Sequence, residues 1–206
     1  MTAADALGFV LAGVARLITG AQGHWKGVPP KAEQRIYFAN HQSHFDWVLI
    51  WAALPHDLRA ATRPIAARDY WTKTPLRHWI TREIFNSVYV SRERKEDEDP
   101  LEPLMEALRH GDSLVIFPEG TRGHTGEPAP FKSGLYALAQ AFPEVQLIPA
   151  WIDNVQRVMP KGEVVPVPIL CTVVFGAPIA LQPDEERRAF LDRAREAVVA
   201  LREVIR

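Results

Sequence analysis

Short apolar segments with strand character alternate with helix-like segments along the chain, and this alternation constrains the fold more than any other feature. Segments 35–39, 64–67, 87–91, 113–117, 146–152 and 170–175 are brief and rich in Ile, Val and aromatic residues, the pattern of buried strands. Segments 43–54, 70–82, 100–110, 133–141 and 184–204 read as helices. The last places Phe190, Leu191, Ala194, Val198, Leu201 and Ile205 on one face with charges opposite. Such an order predicts a single-domain α/β fold with a largely parallel or mixed central sheet flanked by helices. The chain's 206 residues suffice for one sizeable core. The charged loop 92–100 and the Gly/Pro-rich loop 123–130 are too short to separate domains.

The amino-terminal segment has a different composition. Between Ala6 and Gly23 the only charge is Arg16, and Leu7, Phe9, Val10, Leu11, Val14, Leu17 and Ile18 are apolar nearly all round. We therefore expect an apolar helix over 1–24, in membrane contact, ahead of a main domain over 25–206. The run is short for a spanning helix, which needs about 20 apolar residues. It also lacks the basic start of a signal peptide. The readings left are a helix lying in the membrane interface and one packed on the domain's own core; Trp25 and Lys26 suit an interfacial boundary. A net charge of −1 gives no electrostatic case for nucleic acid. The lone cysteine, Cys171, lies in an apolar run and reads as a small core residue, which fits a reducing, cytoplasmic setting. A four-cysteine zinc site is excluded.

Directly after the first apolar strand comes Asn40-His41-Gln42-Ser43-His44-Phe45-Asp46. Histidine is suited to proton transfer near neutral pH, and a carboxylate in reach would set its tautomer. In one straight helix, side chains at this spacing would point about 140° apart. The pair works if His41 sits in the turn before a helix and Asp46 lies in its first turns, with Ser43 as a candidate N-cap. A position near the positive helix end would keep the imidazole neutral.

A second constellation follows the strand 113–117: Pro118-Glu119-Gly120-Thr121-Arg122. Ligand sites in α/β folds favour the carboxyl ends of strands. Gly120 permits a tight turn and close backbone approach. Arg122 offers a fork of donors suited to phosphate, Thr121 adds another, and Glu119 would hold Arg122 or bind a substrate hydroxyl. The segment ending at Arg92 is a further strand whose arginine would reach the same phosphate. Lys132 is a possible additional donor, or caps a helix start. Leu147-Ile148-Pro149 reads as core or as the floor of a substrate cleft.

In order and spacing these segments resemble the glycerolipid acyltransferase family, whose best-known members acylate 1-acylglycerol 3-phosphate (lysophosphatidate) to phosphatidate. Asn40–Asp46 is similar to the family's N-H-x-S-x-x-D block, and Phe117–Arg122 matches its third block at every position. Arg92 falls where the second block ends, although Val88 and Ser91 replace the glycine and acidic residue often found there. The resemblance spans roughly 35–152. It implies a glycerolphosphate-acyltransferase-like fold. It also implies His41 and Asp46 as catalytic base and orienting acid, and Arg92, Glu119, Gly120, Thr121 and Arg122 around the acceptor's phosphate. The donor would be acyl-CoA or acyl-carrier protein as co-substrate, with no cofactor and no metal. The acceptor would be a lysophospholipid, and the place of action the cytoplasmic face of a membrane, in peripheral or monotopic attachment. Two other readings stay open on the residues: a metal-dependent hydrolase using His41, His44 and Asp46, and a non-catalytic membrane lipid-binding protein.

Overall fold

A computed structural model of the chain describes residues 13, 22–43, 46–90, 99–123, 126–153 and 171–205. Seven strands form one sheet: β1 (Gln22–Trp25), β2 (Arg35–Ala39), β3 (Thr62–Ala67), β4 (Val88–Val90), β5 (Ser113–Ile116), β6 (Gln146–Asp153) and β7 (Thr172–Phe175), in spatial order β1-β7-β6-β2-β5-β3-β4. All neighbours are parallel except β6 and β7, so β1 and β7 run against the other five.

The all-buried strand β2 lies in the middle because both of its faces are apolar. Successive side chains on a strand point to opposite faces. Ile36 and Phe38 accordingly join one core cluster, with Leu108, Leu114, Leu138, Phe190 and Val198. Tyr37 and Ala39 join the other, with Trp47, Ile50, Trp51, Leu54 and Phe175. Helix α1 (Asp46–Ala53) covers the second face and is buried at every position but Val48. The opposite face is covered by the helices Glu102–Arg109, Gly134–Ala141 and Arg187–Ala200.

Several expected boundaries shift. The helix expected over 70–82 is broken into Arg68–Trp71, Pro75–Trp79 and a π-helical turn at Ile80–Ile84. Pro75 explains the first break, since proline supplies no N–H and disfavours helical geometry in the residue before it. The final helix starts at Arg187 rather than 184, where Asp184 has φ +57°, and it closes in a 3-10 turn at Leu201–Ile205. Strand β1 was not expected. Its sequence, QGHW, has no strand pattern, and it exists because β7 pairs with it and Trp25 stacks on Phe175 at 4.2 Å. It also cuts short the apolar helix expected over 1–24: from Gln22 onward the chain is strand, and of the rest only Gly13 is among the described residues.

Candidate active site

Strands β2 and β5 are parallel neighbours with Phe38 opposite Ile116, so the chain leaves both at the same edge of the sheet. The residue after β2 is Asn40, only 1% exposed. Its side-chain amide acts as a substitute peptide. Nδ2 donates to the Ile152 carbonyl at 3.0 Å, and Oδ1 accepts from the Ile152 N–H at 2.8 Å. This tie to β6 fixes the point at which His41 begins.

His41 sits in the turn and Asp46 opens helix α1, the arrangement their spacing demanded. His41 Nδ1 lies 2.8 Å from Asp46 Oδ2. The same Oδ2 accepts the backbone N–H groups of Gln42 (2.6 Å) and Ser43 (2.9 Å). The carboxylate thus reaches back from the start of the helix and closes the turn that carries the histidine. Asp46 is fully buried, whereas the His41 side chain is 19% exposed. A carboxylate oxygen only accepts, so Nδ1 donates, and in the neutral imidazole Nε2 keeps its lone pair. No group among the described residues bonds Nε2. The imidazole also stacks on Phe117, centroids 4.3 Å apart at 14°.

Phe117 is the first residue after β5 and leads into the second constellation. Gly120 has φ +68°, a conformation that favours glycine, and its N–H bonds the Phe117 carbonyl at 3.0 Å. The side chain of Lys132 crosses the open face of this glycine: a Cβ there would meet Lys132 Nζ at 2.6 Å and Cδ at 2.9 Å. Thr121, Arg122 and Lys132 are exposed. A glycine-walled turn with two nearby cationic side chains can accept an anionic group.

Glu119 is placed differently from its expected role among the phosphate contacts. It is 2% exposed. Oε1 accepts the His41 N–H and Oε2 the Ala129 N–H, each at 2.7 Å, and neither oxygen bonds Arg122. A buried anion occupied by backbone amides is poorly suited to hold phosphate, which it would repel. Burial pushes its pKa above the ordinary carboxylate range, against the two amide bonds and the nearby His41 that pull it down; the charge of Asp46 adds to the rise.

Arg92 and His44 lie outside the described residues. Among the described residues no three His, Cys, Asp or Glu side chains converge as metal ligands would. Leu147, Ile148 and Pro149 are buried in the sheet, which favours the core reading over a cleft floor. Cys171 is buried too, its thiol pushed up to about 12, chiefly by burial and further by the charges of Asp153 and Asp46. Asn40 and Phe117 stand in the two blocks read from the sequence, but that reading gave neither a role. The signal was present in both cases: each is the residue at which a buried strand turns into a polar loop.

Comparison with known proteins adds the lineage. The family model described as Acyltransferase matches residues 25–153. The 1-acyl-sn-glycerol-3-phosphate acyltransferase alpha of Bos taurus is 30% identical over 180 residues, covering 84% of this chain and 59% of the relative. A 1-acyl-sn-glycerol-3-phosphate acyltransferase of Cocos nucifera is 32% identical over 169 residues, covering 74% of this chain and 48% of the relative. The chain thus spans about half to three-fifths of the length of these relatives. In fold it is similar to the crystal structure of the 1-acyl-sn-glycerophosphate (LPA) acyltransferase, PlsC, from Thermotoga maritima. The TM-score is 0.69 at 22% identity, covering 98% of this chain and 78% of that one.

Proposed function

Because this chain belongs to the acyltransferase family, we propose that it moves a fatty acyl group from an acyl thioester to a glycerol-backbone hydroxyl of a phosphate-bearing lysolipid. The acceptor we assign is 1-acylglycerol 3-phosphate and the product phosphatidate. The observation that carries this reading is the 2.8 Å His41–Asp46 contact, which leaves Nε2 available as a base on a histidine whose backbone is bonded to Glu119 and Gly123 on either side of the Gly120–Arg122 turn.

The steps follow from that geometry. Nε2 takes the proton of the acceptor hydroxyl as its oxygen attacks the thioester carbonyl. Asp46, bonded to Nδ1, stabilises the imidazolium. A new C–O bond forms and the C–S bond breaks. The imidazolium returns its proton to the departing thiolate, and both products leave without a covalent acyl-enzyme. No nucleophile of the protein is required, which agrees with the buried, strongly protonated Cys171. Thr121 and Arg122, with Lys132 across Gly120, would hold the phosphate and so place the hydroxyl at Nε2. Arg92 would add to that site. Acyl-CoA or acyl-carrier protein supplies the acyl group as co-substrate, and the domain itself needs no cofactor.

Among the described residues no helix is long and apolar enough to cross a membrane. We assign to the apolar amino-terminal segment the task of bringing the domain to the cytoplasmic face of a membrane, where lysolipid and acyl chains reside.

A donor-by-acceptor matrix read by mass spectrometry tests the proposal. Long-chain thioester plus lysophosphatidate should yield phosphatidate, with little product from lysolipids lacking the terminal phosphate. Release of free fatty acid without any acylated acceptor would instead favour a hydrolase. Lipid binding with no transfer from any donor would favour an adaptor.

A further inference from the structure

The backbone N–H and carbonyl of His41 are both held by the segment that follows β5. Glu119 Oε1 accepts its N–H at 2.7 Å, and the Gly123 N–H donates to its carbonyl at 2.7 Å. Glu119 reaches outward as well: Oε2 takes the Ala129 N–H at 2.7 Å, which draws the loop 126–130 against the same point. Both carboxylate oxygens are thus engaged, at the short distances of charge-assisted bonds, in a side chain with 2% exposure.

We propose that Glu119 is a positioning residue for His41: with Gly123 it clamps the His41 peptide, so the turn that would hold the acceptor's phosphate also sets where the base stands. The assignment rests on the acyl-transfer reading above for its kinetic consequences, but not for the clamp itself. It separates Glu119 from its sequence neighbours Thr121 and Arg122. Those are exposed to solvent; Glu119 is enclosed and faces backbone. Its carboxylate ties three segments together: the turn after β2, the turn after β5 and the loop 126–130. A displacement of about 1 Å at a reacting group is enough to cost about 10²-fold in rate, so the effect of losing the clamp belongs in turnover rather than in acceptor affinity.

Glu119→Gln and Glu119→Ala distinguish the two roles. Glutamine keeps one accepting oxygen and puts an NH2 group against the other N–H, so it retains half of the clamp; alanine retains none. We expect kcat to fall in the order wild type, Glu119→Gln, Glu119→Ala, by about 10-fold and then about 100-fold or more, with acceptor KM within about twofold. A rise in acceptor KM at unchanged kcat would overturn the proposal and return Glu119 to the phosphate site. Hydrogen exchange at the His41 amide provides a readout independent of activity and of any variant's folding. In the wild-type protein this amide should exchange at least about 100-fold more slowly than an open loop amide, and Glu119→Gln should speed it. Fast exchange in the wild type would sink the clamp even if acyl transfer is established. Slow exchange in a protein that transfers no acyl group would leave the clamp standing and refute the reading of function.

Discussion

The imidazole of His41 lies nearly parallel to the ring of Phe117, with 4.3 Å between centroids. Paired rings of this kind contribute about 0.5–1.5 kcal/mol beyond their burial. Here the stack fixes the plane of the ring while Asp46 fixes its rotation within that plane. Phe117→Leu keeps the apolar volume and removes the flat face. Steady-state kinetics should show kcat lowered about 2- to 10-fold with acceptor KM unchanged. An unaltered kcat would mean that Asp46 orients the base alone.

Removing the proposed base should have a larger effect. His41→Ala is expected to lose about 10²–10⁴-fold in kcat while circular dichroism and melting temperature stay close to wild type. Asp46→Asn should lose turnover and thermal stability together. Its Oδ2 also serves two backbone N–H groups; asparagine either keeps its oxygen there without the charge and buries an NH2 group where Oδ1 has no partner, or turns that NH2 group against the two donors. Wild-type turnover in purified His41→Ala protein would remove the catalytic assignment.

Arg122 is exposed and is expected to act on binding. A hydrogen bond to a charged group is worth about 1.5–3 kcal/mol, so Arg122→Ala should raise the acceptor KM about 10- to 100-fold with a smaller change in kcat. If only the preference for donor chain length moved, the phosphate role would be wrong.

Buried Glu119 gives stability a pH dependence of known sign. Its pKa in the folded protein is raised by burial, against His41 and the two amide bonds and with Asp46 adding to the rise. Between the ordinary glutamate value and the raised one, the folded chain holds a proton that the unfolded chain has released. Its contribution to stability is therefore full below that window and is lost as pH rises through it. Melting temperatures of wild type and Glu119→Gln, compared from about pH 4 to 8, should show the wild type declining relative to the variant as pH rises. A parallel course would show that Glu119 titrates like an exposed carboxylate.

Cys171 should be chemically silent in the native state. With its thiol pushed up to about 12 and its side chain buried, thiolate is scarce at neutral pH. A disulfide reagent at about pH 8 should find no reactive thiol until denaturant is added, and then one per chain. Rapid labelling of the folded protein would contradict the packing of β7.

Much of the fold was legible in the sequence because the strands of a buried sheet must be apolar on both faces. The segments that became β2, β5 and β6 stand out for that reason, and their shared burial places them side by side. Strand β1 was invisible, since pairing with β7, not the residues of QGHW, makes it a strand. The break in the helix after β3 was legible in principle, because Pro75 marks it.

The candidate site divides in the same way. The residue types at His41, Asp46, Gly120 and Arg122 declare a base, an acid, a tight turn and an anion-binding fork, and the five-residue spacing from His41 to Asp46 requires a turn running into a helix. These properties are local: they depend on pKa, allowed φ and side-chain reach. Local chemistry could not say that Phe117 stacks on His41, that Asn40 is tied to Ile152, or that Glu119 faces the backbone of His41 instead of a ligand. Those facts join residues 76, 112 and 78 positions apart. Glutamate carries the same side chain in any sequence, and only the packing of two parallel strand ends against each other decided that this one would be enclosed against the His41 backbone and not exposed to solvent.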